Sequence, residues 1–193
     1  MKSNLNLNNY ESIVNLKRLT HENAETVLSW RNSKKVRANS LDDKKIELRD
    51  HLEFFKNLDE KKQFFFIVKI KDNPQGIFNV KKINDLTGLW GCYLSSTNTI
   101  RPGVFPLMVG LAGKFAFEKL SLQNLRSEVL AQNTAPQKLN DYLGVKKADH
   151  LIEKSSGVMC YDLPKSDWGD VLGKINKILP SRIREGLHKV QFP

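Results

Sequence analysis

Residues 98–145 read NTIRPGVFPLMVGLAGKFAFEKLSLQNLRSEVLAQNTAPQKLNDYLGV, and no other part of the chain restricts the fold so tightly. A turn containing Arg101, Pro102 and Gly103 feeds an apolar helix with Leu107, Leu111, Phe115 and Leu122 on or near one face. A short strand from Leu125 to Ala131 follows, then a helix capped by Thr134 that turns Leu139 and Leu143 inward before Gly144 stops it. The first helix aims its unpaired N–H groups and the positive end of its dipole at the turn, which makes the turn a seat for an anion such as a pyrophosphate. Gly110 and Gly113, beside Ala112 and Ala116, keep that helix thin. Each interior glycine costs about 1 kcal/mol against Ala, so the thinness serves either close packing on a sheet or an extended ligand.

The flanking segments supply the rest of the order. Ile13 to Leu19 alternates as a half-buried strand does, and Thr20 caps a helix through Ala24, Val27, Leu28 and Trp30. WRNSKKVRANSLDDKK is a polar loop, and Leu48, Leu52, Phe55 and Leu58 mark a second helix beside the first. QFFFIVKI, GIFNVKKI and TGLWGCYL are three strands of an antiparallel meander, turned at Asp72-Asn73-Pro74 and at Asn84-Asp85. The unbroken FFFIV run belongs in a strand covered on both faces. Beyond Gly144 the pattern gives short strands near Ala148 to Glu153 and Val158 to Leu163, a helix around Asp167 to Leu179, and no signal after Pro180. The order βααβββαβαββ is that of an α+β protein with a mixed sheet, without doubly wound alternation.

With 193 residues the expectation is one domain over 1–193. Its 31 Lys and Arg against 21 Asp and Glu give a formal charge of +10, which either solvates the surface or meets anionic partners: nucleic acid, acidic lipid or phosphorylated small molecules. The KK pairs at 34, 44, 61, 81 and 146 are dispersed. A nucleic-acid-binding module would gather its cations on one face with aromatics between them. Here Phe64 to Phe66, Phe115 and Phe117 lie in apolar runs instead. Cys92 and Cys160 are too far apart for a metal knuckle, and no disulfide framework or metal is expected. The start, MKSNLNLNNYES, has no apolar leader core, and no window approaches the roughly 18 apolar residues of a membrane span. A cytoplasmic protein with reduced thiols is therefore expected.

Order and motifs together resemble the GNAT superfamily of N-acetyltransferases. There a turn of the type Arg/Gln-x-x-Gly-x-Gly/Ala binds the pyrophosphate of acyl coenzyme A through backbone N–H groups. Arg101, Pro102, Gly103, Val104 and Phe105 stand at the corresponding place, with one glycine matching and Phe105 where a second small residue is usual. FAFEKLSLQNLRSEVLAQNTAPQKLNDYLGV is similar to the superfamily pattern without a gap. WRNSKKVR at 30–37, His51 and the WGCYL strand resemble the members that acetylate nucleotide-linked amino sugars, of the pseudaminic acid pathway type. The resemblance spans about residues 13–164. It implies a largely antiparallel seven-stranded sheet flanked by helices, with a C-terminal helical extension over about 166–193.

The resemblance also implies a chemistry: acyl transfer from a thioester to an amine, which needs a neutral amine, a stabilised oxyanion and a proton for the leaving thiolate. It makes Glu128 the general base acting through water, the alternative being a Glu at a sheet edge paired with a Lys. Asn133 holds the pantetheine arm or the reacting region, or else forms an Asx turn. The backbone N–H of Leu94 or Ser95 polarises the thioester carbonyl. The superfamily's acid, a tyrosine, falls on Asn140, which donates a hydrogen bond but no such proton; Tyr142, about 200° further round the helix, points away. Either water or a Tyr or Ser from elsewhere then serves the thiolate, or this member has lost the acceleration of that step. Leu94, Arg101, Gly103, Val104, Phe105, Asn133 and Asn140 form the implied coenzyme site. For the acceptor, Trp30 would stack on a nucleobase and Arg31 and Arg37 would grip a diphosphate, with His51 and Lys81 as further candidates. Each also has an ordinary role open to it, as core, solvated cation or helix-face histidine.

The expected activity is transfer of an acetyl or somewhat longer acyl group from acyl-CoA to the amine of a UDP- or dTDP-linked amino-deoxy sugar, as in cell-surface polysaccharide biosynthesis. Phe105 and Pro106 would shift the coenzyme and make room for the longer chain. No nucleic acid or membrane partner is expected. The alternatives within the fold are a protein N-terminus or a polyamine as acceptor, the latter needing clustered acids that the basic balance opposes. The C-terminal helix packs either on its own domain or on a twin in a homodimer.

Overall fold

The computed structural model describes residues 12–148 and 157–193. β1 (Val14–Arg18), α1 (Ala24–Arg31), α2 (Lys34–Arg37) and α3 (Leu48–Lys56) lead into β2 (Gln63–Ile70), β3 (Asn73–Lys82) and β4 (Thr87–Leu94). α4 (Val104–Lys114), β5 (Asn124–Leu130), α5 (Thr134–Leu143), β6 (Lys146–Lys147), β7 (Val158–Pro164), α6 (Trp168–Ile178) and α7 (Ser181–Lys189) follow. The seven strands form one sheet in the order β1-β2-β3-β4-β5-β7-β6. Every neighbouring pair is antiparallel except β4 and β5, which run parallel because α4 carries the chain back between them.

Alternation along the strands sorts the core into two layers. Phe66, Val68, Phe78 and Val80 turn to the face covered by α4, α6 and α7. Ile67 and Ile77 turn to the other, where Leu19, Val27 and Trp30 cover them. β2 is thus flanked by β1 and β3 and covered on both faces, as its unbroken apolar run requires.

Several elements differ from the sequence reading. The loop after α1 contains a short helix, α2, begun by the Ser33 hydroxyl accepting the Val36 N–H. Lys71 (φ 48°) and Asp72 (φ 61°) make the hairpin turn, so Asn73 and Pro74 belong to β3 rather than to the turn. The long helix does not run to Leu122: it opens into one wide turn over Phe115–Lys119, where the Leu120 N–H reaches the Phe115 carbonyl. The strand read over Ala148 to Glu153 falls, from residue 149 on, outside the described residues; the pairing found there is that of Lys146 and Lys147 with β7.

The end of the chain is the largest addition. A second C-terminal helix, α7, follows Pro180 and buries Ile183 and Leu187. Phe192 then packs edge-on to Phe66 and tilted against Phe115. A Cβ on Gly113 would overlap the Trp168 ring, and one on Gly110 would come within 2.8 Å of Leu187. The thin face of α4 therefore seats α6 and α7, neither the sheet nor a ligand, and the extension packs on its own domain.

Candidate active site

Pairing of β4 with β5 runs from Thr87 opposite Asn124 to Trp90 opposite Ser127, and stops there. Beyond that point Gly91 to Leu94 stay with β3, and Glu128 to Leu130 stay with β7. The two strands diverge, and the sheet opens between them. Two cavities of about 360 Å³ and 120 Å³ occupy the opening and share Asn39, Cys92, Phe105, Asn133 and Pro136 as walls. Backbone direction decides what faces the gap. The Ser95 N–H donates to the Gln75 carbonyl of β3 at 2.9 Å. Successive N–H groups of a strand point to opposite sides, so Leu94 turns its own N–H away from β3 and into the gap. Of the two amides expected from the sequence, Leu94 is the one free to meet a carbonyl.

Glu128, exposed on β5, lines the smaller cavity together with Asn133 and Asn140. Asn140 is 5% exposed, and its side chain has no hydrogen-bond partner among the described residues, although its carbonyl accepts the Gly144 and Val145 N–H groups. Asn133, one residue before the expected Thr134, is the N-cap of α5, yet its side chain makes no capping bond. The loop is tied instead by the Gln137 amide, which donates to the Leu130, Ala131 and Asn133 carbonyls at 3.2, 2.8 and 3.2 Å. That leaves the Asn133 side chain available to the gap. Tyr142 is 46% exposed on the far side of α5, as its rotation from Asn140 predicts.

Sequence reasoning missed Tyr93, which lines the larger cavity. The alternation within TGLWGCYL was the available signal, because it sets Tyr93 on the opposite face from Cys92 and Leu94. Burial raises the Tyr93 phenol well above its ordinary 10.0, partly opposed by the Arg31 charge. Burial also pushes the Cys92 thiol up to about 12, so it stays protonated and is no nucleophile at neutral pH. Asn39 and Lys35 fall in the segment that reads as a polar loop, and nothing in their pattern separates them from solvated residues.

The turn before α4 is poor in donors. Gly103 caps the helix with φ 85°, a conformation favourable only to glycine. Pro102 and Pro106 have no N–H, the Arg101 N–H donates to Gln75 Oε1 at 2.8 Å, and that of Val104 donates to the Arg101 carbonyl at 3.3 Å. The N–H groups of Gly103 and Phe105 are those left without an acceptor among the described residues.

The expected acceptor wall is not assembled as such. Trp30 is 1% exposed in the core under α1, and its Nε1 donates to Thr97 Oγ1 at 3.1 Å. Arg31 Nη2 donates to the Asp42 carbonyl, and Arg37 Nε to that of Asp43 at 2.7 Å, so both pin the loop before α3. Arg31 Nη1 is buried without a partner among the described residues. His51 is buried where α3 meets α1, edge-on to Phe55 with ring centroids 5.0 Å apart. Its pKa lies below the ordinary 6.5, lowered by burial and partly restored by a backbone hydrogen bond to Ala24. Lys81 is exposed on β3 and lines neither cavity of the gap. Among the described residues no cluster of His, Cys, Asp and Glu is built to hold a metal, and no helix is long and apolar enough to cross a membrane.

No family model matches the chain, and no curated protein matches it. Solved structures do. The N-acetyltransferase PseH of Campylobacter jejuni in complex with acetyl coenzyme A superposes with a TM-score of 0.60 at 21% identity, over 79% of this chain and 99% of that one. FdhC, a nucleotide-linked sugar GNAT, gives 0.68 at 18% identity, over 88% and 96% of the two chains. The spermidine N-acetyltransferase of Vibrio cholerae in complex with CoA and spermine gives 0.70 at 17% identity, over 82% and 99%. The chain has the GNAT fold. In this fold β4 and β5 part after Trp90 and Ser127, and Phe105 of α4 lines both cavities between them.

Proposed function

We propose that the chain transfers an acyl group from acyl-CoA to the amine of a nucleotide-linked amino-deoxy sugar. The observation that carries the proposal is the β4/β5 gap, with the Leu94 N–H turned towards it from one wall and the Glu128 carboxylate on the other. A thioester laid along β4 would receive the Leu94 N–H at its carbonyl oxygen, where negative charge develops. Glu128, open to water, would take the ammonium proton of the acceptor through a solvent molecule. Asn133 and Asn140 would hold the pantetheine amides, and the Gly103 and Phe105 N–H groups the pyrophosphate.

Tyr93 would donate a hydrogen bond to the departing sulfur. Burial holds its pKa above the ordinary 10.0, so it keeps its own proton at neutral pH and serves as a hydrogen-bond donor. The thiolate then leaves as an anion and takes its proton from water.

The sugar acceptor is favoured over a polyamine by the lining of the gap. Among the described residues Glu128 is the one carboxylate on its two cavities, and Lys35 adds a cation to the larger. A polyamine with several ammonium groups needs several acids; a diphosphate-linked sugar does not. Trp30, Arg31, Arg37, His51 and Lys81 have no part in this version of the acceptor site. The test is thiol release from acetyl-CoA and longer acyl-CoA donors with UDP- and dTDP-amino sugars, spermidine and N-terminal peptides. Release with an amino-sugar nucleotide, cut at least about 100-fold in kcat by Glu128→Gln, is expected. Turnover confined to spermidine or to peptides would overturn the sugar reading, and release with no acceptor would overturn acyl transfer.

A further inference from the structure

Gln75, near the start of β3, is fully buried, 0% exposed. Between β2 and β3 the register places Val68 opposite Gly76 but Lys69 opposite Pro74, so Gln75 is the extra residue of a β-bulge. Bulges re-aim a side chain, and this one aims at the loop joining β4 to α4. The Gln75 backbone carbonyl accepts the Ser95 N–H at 2.9 Å, at the start of that loop. Its Oε1 accepts the Arg101 N–H at 2.8 Å, at the loop's end. Its Nε2 lies 3.4 Å from the Asn73 and Pro74 carbonyls. Between the two ends, Asn98 Nδ2 donates to the Pro74 carbonyl at 3.0 Å and to Ser95 Oγ at 3.3 Å.

We infer that Gln75 is a positioning residue for the acyl donor, fixing the Leu94 amide and the Gly103 turn at a set distance from each other. The inference rests on the reading of the gap as an acyl-CoA site. Holding Ser95 against β3 is what leaves the Leu94 N–H facing the gap. Holding Arg101 sets where the turn begins, and with it the two N–H groups, of Gly103 and Phe105, that remain for a pyrophosphate. A turn with so few donors tolerates little misplacement, because each lost bond is a large share of its grip. Gln75 touches neither thioester nor phosphate; it acts through the loop.

The experiment compares CoA with pantetheine, which has the same thiol arm and no phosphate. Gln75→Met keeps length and burial, removes the Oε1 acceptor and leaves the backbone bond to Ser95. The Kd of CoA is measured by calorimetry on wild type and variant, and that of pantetheine by displacement of CoA. Both ligands are measured on one preparation, so the ratio of their Kd values does not depend on the folded fraction. The variant is expected to bind CoA about tenfold more weakly and pantetheine as wild type does. Equal weakening for both ligands, or none for either, overturns the inference and leaves the acyl-CoA reading standing. A wild type that binds neither overturns the acyl-CoA reading, and the inference with it.

Discussion

At the residue scale, Tyr93 and Asn140 line different cavities of the gap, the larger and the smaller. Asn140 is buried on α5 and offers an amide; Tyr93 on β4 offers a phenol that stays protonated throughout the physiological range. Tyr93→Phe should lower kcat about tenfold, with KM for the acyl-CoA little changed, because a hydrogen bond that strengthens as sulfur gains charge is lost. The pH–rate profile of the variant should keep its shape between pH 7 and 9. An alkaline limb present in wild type and absent in Tyr93→Phe would show instead that the phenol titrates and acts as the acid.

His51 makes a second residue-scale prediction, for stability. Its folded pKa lies below 6.5, so as the pH falls the unfolded chain takes the proton first. The stability contributed by neutral His51 is complete above pH 6.5 and is lost as the pH falls through 6.5 towards the lower folded value. Denaturant midpoints should therefore drop between pH 7 and 5.5 more in wild type than in His51→Leu. Equal slopes would contradict the assignment. Neither prediction was legible in the sequence, where His51 resembled an acceptor residue. Burial between α1 and α3 is decided by the partners of a helix, which its own spacing does not name.

Among the elements, α4 ties the site to the C-terminal extension. Its first turn borders the gap through Phe105, and its thin face receives Trp168 of α6 and Leu187 of α7. Gly113→Ala should destabilise the protein by about 1–3 kcal/mol, since the added methyl meets the Trp168 ring in a packed layer. Urea unfolding would measure it, and an unchanged midpoint would show that α6 gives way freely. The two glycines were legible as a close approach, but the partner was not: α7 presents only Ile183 and Leu187 among Arg, Glu and His, too few apolar positions to announce a helix. The strands and the long helix were legible because periods of 2 and 3.6 are local properties. The bulge at Gln75 was not, because it exists only in the register between two strands.

For the whole molecule, the sheet order explains why a site forms at all. One parallel pair within an otherwise antiparallel sheet joins β4 to β5, and these are the strands that part after Trp90 and Ser127. Antiparallel partners on either side, β3 and β7, hold each strand in place. The formal charge of +10 is compatible with the two anionic substrates of the proposed reaction. Yet the cations that the sequence offered for direct contact, Arg31 and Arg37, bind loop carbonyls instead.

Backbone hydrogen exchange with and without acetyl-CoA tests that placement most directly. Binding in the gap predicts slowed exchange at Leu94 and at Gly103 and Phe105, the amides left without an acceptor, with β1 and β2 unchanged. Protection elsewhere on the surface, with none at Leu94 or at the turn, would contradict the β4/β5 gap as the acyl donor site.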